Sequence, residues 1–395
     1  MRYAPYPSTS GALCLNFGLI CIGYNFAMST EELLHEGLVP TPGKRIRRPG
    51  LHALTGIRFF AAFWVLLFHF GAGFFDHMHM PSPFIAFLRH GGFGVCLFFM
   101  LSGFILYYTY QDNLKTGRDL YKYFVARLAR VYPVYLLALV IATCLSRTLP
   151  QGREWLVIPL LQAWFPVTSK TGMAVIGQAW TLSVELFFYL CFPLLLLFFR
   201  RRRSPAVLWS IAGLMVAIGI AFHAPNLAPG VFDSWVNRHI LLPVLRLPEF
   251  ILGMSLGALF MERQSASPDW RTNDWLTLAG LIPGGIVISL RVEDRYLIAA
   301  ALFSFAWAIF RLAVGKGWLT NLLSSPPMLL LGGASFSIYI LQAPIRNLMH
   351  VLFAHFHPGL DAAVTPVVLI VFCCFLFLYY EEPMRGVVRR VLIGK

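Results

Sequence analysis

Charge is scarce in this 395-residue chain. Asp, Glu, Lys and Arg together make up 13%, against roughly 25% in ordinary soluble proteins. So little charge cannot cover a water-exposed globule of this size, and it also excludes a disordered, solvated chain. Acids are the scarcer sign, 18 against 32 Lys and Arg, for a net charge of +14. The seven cysteines are odd in number and all lie in or beside apolar runs: Cys14, Cys21, Cys96, Cys144, Cys191, Cys373 and Cys374. None has the paired spacing of a zinc site, and no disulfide framework is indicated. They read as small hydrophobes packed in helices. The chain has no Walker A loop, no G-x-G-x-x-G in strand context and no G-x-S-x-G elbow, which removes the nucleotide and hydrolase signatures. No low-complexity tract and no separate soluble domain is visible.

Apolar residues, at 58%, are what the chain has in excess. Mean hydropathy is +0.68. Many apolar runs reach about 18 residues, the length that crosses a bilayer as a helix. The expected fold class is therefore all-α, a polytopic integral membrane helix bundle. From residue 51 about ten transmembrane helices are expected, at 53–75, 92–110, 131–149, 179–199, 206–222, 240–261, 274–291, 295–313, 328–353 and 363–380. A shorter apolar stretch at 155–166, carrying Trp155 and Trp164, reads as interfacial. Residues 1–50 form an N-terminal segment, polar and basic over 28–50. Its extra apolar stretch at 12–28 reads as a signal-like region, an additional helix, or sequence upstream of a start at Met28, the last being preferred.

Charge sets the expected orientation. With alternating spans and the N-terminus in the cytoplasm, twenty-two Lys and Arg fall in inner segments and seven in outer ones. Cytoplasmic loops collect positive charge, so both termini are expected in the cytoplasm, the last as a basic tail at 386–395. The same reasoning removes nucleic acid as a partner, because no basic face interleaved with stacking aromatics lies outside the apolar segments.

Six ionisable residues lie inside the spans: Arg58, His69, Glu185, Arg246, Glu249 and Arg346. Each is costly in hydrocarbon and usually faces a cavity or a partner. Arg58 and His69 are eleven residues apart, about three turns and about 16 Å along one helix face. The expected depths bring Glu185 level with His69, an arrangement in which a carboxylate orients an imidazole base. The alternative for His69 is an inter-helix hydrogen bond that only holds the bundle together. Arg246 and Glu249, spaced i, i+3, are suited to neutralise each other. Arg346 is suited either to an anionic acceptor or to a carboxylate. Lys122, Arg127 and Arg130 before the third span serve either as interfacial anchors or as a clamp for a phosphorylated cytoplasmic cofactor. Arg200 to Arg203 read as anchors. Outer-loop Asp76, His77, His79, His350, His355, His357 and Asp361 are of metal-binding types, but no spacing ties the loops together and no metal is expected.

Taken in order, these stretches resemble the membrane-bound acyltransferase family three, typified by bacterial O-acetyltransferases of cell-surface sugars. Arg58 and His69 resemble its Arg, ten residues, His signature. Gly94 to Phe104 resembles its second-helix motif, and Arg127, Arg130, Tyr132 and Pro133 its basic segment. Trp180-Thr181-Leu182-Ser183-Val184-Glu185 resembles its Trp-Ser-Leu-Ser-Val-Glu motif. Arg246-Leu247-Pro248-Glu249-Phe250 with Gly253, and Glu382-Pro383, also fit. Two positions depart: Cys96 stands where members often carry an acid, and Gln342 where many carry histidine.

The resemblance implies a membrane acyltransferase domain over 51–385 in the bacterial inner (cytoplasmic) membrane. It implies transfer of an acyl group, commonly acetyl, from cytoplasmic acyl-CoA to a hydroxyl of an extracytoplasmic carbohydrate or lipid-linked glycan. Acetyl-CoA is a co-substrate in this reading. His69 and Glu185 are then the catalytic pair, Arg58, Arg127 and Arg130 hold CoA, and Trp180, Ser183, Arg246 and Glu249 shape the acceptor side. The competing reading is a transporter or flippase of lipid-linked sugars, which expects broken helices in both halves; a sensor or scaffold without chemistry ranks below it.

Overall fold

The computed structural model describes residues 50–165, 175–201, 204–223, 241–266, 274–290, 294–315, 317–353 and 360–394. The expected N-terminal segment at 1–49 lies outside them. Every regular element among the described residues is helical, as apolar composition demands where the backbone must satisfy its own hydrogen bonds.

The first four helices are α1 (His52–His77), α2 (Ser82–Arg89), α3 (Phe93–Tyr110) and α4 (Gly117–Ser146). Short 3-10 turns follow at Gly152–Val157, Gln162–Trp164 and Gly177–Ala179. Then come α5 (Trp180–Arg201), α6 (Pro205–His223), α7 (Leu242–Leu245) and α8 (Leu247–Ala266). The chain continues as α9 (Asp274–Ser289), α10 (Asp294–Val314), α11 (Trp318–Leu323) and α12 (Pro326–Gly333). It closes with α13 (Ser335–Ile340), α14 (Gln342–Phe353), α15 (Leu360–Leu376), a π-helical turn at Phe377–Glu381 and α16 (Glu382–Ile393).

Among the described residues seven helical stretches are long and apolar enough to cross a membrane, and two shorter apolar helices lie at Pro205–Ala221 and Asp274–Ser289. The expected single span at 328–353 is instead three pieces, α12, α13 and α14. Pro344 explains one interruption, since it has no N–H to give the carbonyl of Ile340. The expected span at 240–261 is one of the seven, at Leu242–Gln264, with a local turn at Arg246 between α7 and α8.

The third span begins earlier than hydropathy suggests. Helix α4 starts at Gly117, capped by Thr116. The Thr116 hydroxyl accepts the Asp119 N–H (3.2 Å), and the Asp119 carboxylate accepts the Thr116 N–H (3.0 Å), a reciprocal cap. Thirty residues make about 45 Å of helix, longer than a bilayer core of about 30 Å. Lys122, Arg127 and Arg130 therefore ride on the spanning helix itself. The basic C-terminal stretch is also helical: α16 lies along α4, and the Tyr121 hydroxyl donates to the Leu392 carbonyl (2.8 Å).

Two apolar cores fill the bundle, and α1, α3 and α8 give residues to both. Glycines allow this central packing. A Cβ on Gly253 would sit 2.0 Å from the Met100 carbonyl oxygen, and one on Gly103 would sit 2.1 Å from that of Phe250. The backbones of α3 and α8 thus touch directly, as small residues permit in membrane helices.

Candidate active site

Helix α1 carries Arg58 and His69 on one continuous α-helix. The His69 ring is half-buried. Its Nδ1 lies 2.9 Å from the Val65 carbonyl oxygen and 3.0 Å from Oε1 of Gln342. Both partners are hydrogen-bond acceptors, so Nδ1 carries a proton, and in the neutral ring the lone pair is on Nε2. Gln342 is the first residue of α14 and is wholly buried. Arg346, one turn further along α14, stacks over the Phe70 ring (5.3 Å) and lies within electrostatic range of His69.

The expected pairing of His69 with Glu185 is therefore corrected. Glu185 accepts a short hydrogen bond from the Tyr189 hydroxyl on its own helix. Equal depth does not make a contact, because the main neighbours of α1 include α3, α12 and α13. The oxygen that reaches His69 comes from the chain just after α13. Tyr189 also faces Arg127: the buried Arg127 guanidinium lies 5.7 Å from the Tyr110 ring centre and 5.8 Å from that of Tyr189. Buried rings of this kind hold a cation by its charge.

Arg58 and Arg130 come together by a residue that hydropathy hides. Glu381 ends the π-helical turn, is wholly buried, and lies within electrostatic range of both arginines. It accepts the Ser337 hydroxyl and pairs with Arg385 (2.5 Å). Arg385 also pairs with Glu382 (2.9 Å). An extra residue in a helical turn aims a side chain that a regular helix would turn away, and such turns recur at functional sites. The signal in the sequence is the Glu381-Glu382-Pro383 run, of which the family resemblance covers only Glu382-Pro383.

The third cluster surrounds Arg246 at the α7–α8 junction. Its guanidinium pairs with the buried Glu249 (3.0 Å) and lies over the rings of Phe99 (5.6 Å) and Trp180 (5.7 Å). The Cys96 thiol lies within electrostatic range of both Arg246 and Glu249. The Cys96 departure thus falls on the wall of this cluster, where an acid would give Arg246 a second carboxylate. Tyr339 lies within range of Arg246 and of Glu185, and its hydroxyl donates to the Gln178 carbonyl (3.3 Å). Ser183 is used locally: its hydroxyl accepts the Ala163 N–H (3.3 Å), tying the 3-10 segment to α5. Arg200 donates to the Gln111 and Leu114 carbonyls at the end of α3.

Polar side chains thus run through the bundle. They pass from Arg58, Arg130 and Glu381, past Arg127, Tyr189 and Glu185, to Tyr339, Arg246 and Glu249. Among the described residues no three His, Cys, Asp or Glu are grouped to hold a metal. The side chains of Asp76, His77, His355, His357 and Asp361 lie outside the described set.

A family model described as an acyltransferase domain matches residues 51–380. The chain belongs to this family, acyltransferase family three. The acyltransferase is 29% identical over 336 residues to the acyltransferase MdmB of Streptomyces mycarofaciens, covering 78% of this chain and 81% of the relative. It is 28% identical over 317 residues to the exopolysaccharide production protein ExoZ of Rhizobium meliloti (strain 1021), covering 77% and 93%. It is 22% identical over 334 residues to the O-acetyltransferase OatA of Staphylococcus aureus, covering 75% of this chain and 50% of that protein. No solved structure matches the chain.

Proposed function

We propose that this acyltransferase moves an acyl group, acetyl in the first instance, from cytoplasmic acyl-CoA to a hydroxyl of an extracytoplasmic carbohydrate. The observation that carries the reading is the His69 ring. Its Nδ1 faces two carbonyl oxygens, so in the neutral ring Nε2 is the nitrogen that can act as base. In the proposed reaction Nε2 takes the proton of the acceptor hydroxyl while the hydroxyl oxygen attacks the thioester carbon. The same proton then passes to the departing CoA sulfur. General base catalysis of this kind contributes roughly 10²–10⁴-fold.

The other clusters take roles that suit their chemistry. Arg58, Arg127 and Arg130 hold the CoA phosphates, for which guanidinium offers two-pronged donors. Trp180, Arg246 and Glu249 line the acceptor side, where an aromatic face and a charged pair suit a sugar. Ser183 supports that wall through Ala163. Glu185 acts through Tyr189 and the nearby Arg127 rather than on the base. An exopolysaccharide production protein and an O-acetyltransferase among the relatives support a glycan acceptor and an acetyl donor. The proposed setting is the bacterial inner membrane, with about ten crossings and both termini cytoplasmic.

Mass spectrometry of surface glycans tests the reading, using cells with the wild-type chain, a deletion and His69→Ala. Loss of one acyl mass in both mutants is expected. An unchanged acyl pattern, with a glycan precursor accumulating inside the deletion strain, would overturn the enzyme in favour of a transporter.

A further inference from the structure

Gln342 is wholly buried, and its two polar atoms have different fates. Oε1 accepts from Nδ1 of His69 (3.0 Å). Nε2 is buried and has no hydrogen-bond partner among the described residues. Exchanging the two atoms would set an amide donor against an Nδ1 that already donates to the Val65 carbonyl, placing two donors face to face. The arrangement is therefore fixed: an acceptor towards the imidazole, and an unused donor beside it. A buried amide N–H without an acceptor is costly, and a side chain such as Met would fill the same space without that cost.

Two further features surround this donor. Gln342 opens α14, a twelve-residue helix, so the positive end of that helix lies at the same point. Arg346, on the next turn, brings a full positive charge near His69. A donor, a helix N-terminus and a cation converge beside a neutral base, an arrangement that favours developing negative charge.

We propose that the Gln342 amide is the donor that holds the acyl oxygen while the acyl group is transferred. The inference rests on the acyl-transfer reading given above. When the hydroxyl oxygen attacks the thioester carbon, a C–O bond forms and the carbonyl electron pair moves onto the acyl oxygen. The hydroxyl proton passes to Nε2 of His69. The Gln342 N–H holds the resulting oxyanion. The carbonyl then re-forms, the C–S bond breaks, and the CoA sulfur leaves with the proton from His69. Gln342 thus orients the base through Oε1 and stabilises the oxyanion through Nε2.

The experiment uses the full chain in proteoliposomes, acetyl-CoA as donor and water as acceptor, and reads release of the CoA thiol against pH. Wild type releases thiol, and His69→Ala loses roughly 10²–10⁴-fold. Gln342→Glu keeps an acceptor for Nδ1 but removes the donor. Its kcat falls by roughly 10²–10³ with little change in KM. The acid limb of its kcat/KM profile moves to higher pH, because a carboxylate favours the imidazolium. Gln342→Met, apolar and of similar length, keeps the question open to measurement if a buried carboxylate disturbs folding. It loses kcat at least as far, without the upward shift. A Gln342→Glu protein with wild-type kcat and a shifted limb overturns the oxyanion role and leaves only orientation. Wild-type kcat in Gln342→Met overturns both roles. Equal rates in wild type and His69→Ala overturn the acyl-transfer reading itself and this inference with it, as does a wild-type chain that releases no thiol.

Discussion

At the residue scale the buried charges differ in what holds them. Glu185 accepts from Tyr189, whereas the hydrogen-bond partners of His69 among the described residues are carbonyl oxygens. A carboxylate in contact with an imidazole raises its pKa, so losing it would lower the acid limb. With no such contact, Glu185→Gln is expected to leave the acid limb of kcat/KM in place, and a pH–rate profile checks this. Arg246 and Glu249 neutralise each other inside the bundle. Removing one partner strands a buried charge at a cost of about 3–5 kcal/mol, while replacing both with apolar residues is often neutral. The double variant Arg246→Met with Glu249→Leu is therefore expected to melt above either single variant. Thermal unfolding of the three proteins in one detergent measures it. Arg246, Glu249, His69 and Arg58 are all legible as candidates in the sequence, because an ionisable group in an apolar run stands out without any fold. Glu381 is not, since the apolar run ends just before it and its burial depends on the π-helical turn.

At the scale of elements, close approach decides which helices meet. Gly253 on α8 and Gly103 on α3 each face a carbonyl oxygen of the other helix. An added methyl must push the pair apart, and overpacking of this kind costs about 1–3 kcal/mol. A methyl added at Gly213 on α6 would meet nothing within 4 Å, and Gly to Ala there restores helix propensity by about 0.5–1 kcal/mol. Gly253→Ala is thus expected to lower the melting temperature and Gly213→Ala to hold or raise it; thermal unfolding of both variants beside wild type checks the contrast. Helix boundaries are legible where hydropathy sets them, as in α3 and α10. They are hidden where other chemistry acts. The charged first turns of α4 mask a capped helix start, and Pro344 divides a run that reads as a single span.

At the scale of the whole molecule the basic end of the bundle gathers Arg58, Arg127, Arg130 and Arg385 from α1, α4 and α16, with Glu381 among them. If this end holds the CoA phosphates, its grip depends on screening. Raising ionic strength from about 0.1 M to about 1 M shortens the Debye length from ~10 Å to ~3 Å. KM for acetyl-CoA is expected to rise over that range, while KM for acetyl-pantetheine, which lacks the nucleotide phosphates, stays nearly constant. Parallel kinetics with the two donors check it. The helical class and its apolar segments follow from composition alone, because the transfer free energy of a side chain into hydrocarbon belongs to that side chain wherever the chain goes. The identity of most of the buried charges follows for the same reason. Their partners do not. Depth along an axis can be counted from residue spacing, but which helix stands beside which depends on glycine contacts, interrupted helices and a widened turn. These bring Gln342 rather than Glu185 to His69, and Glu381 to the arginines, since pairing is a property of neighbours in space and only packing chooses them.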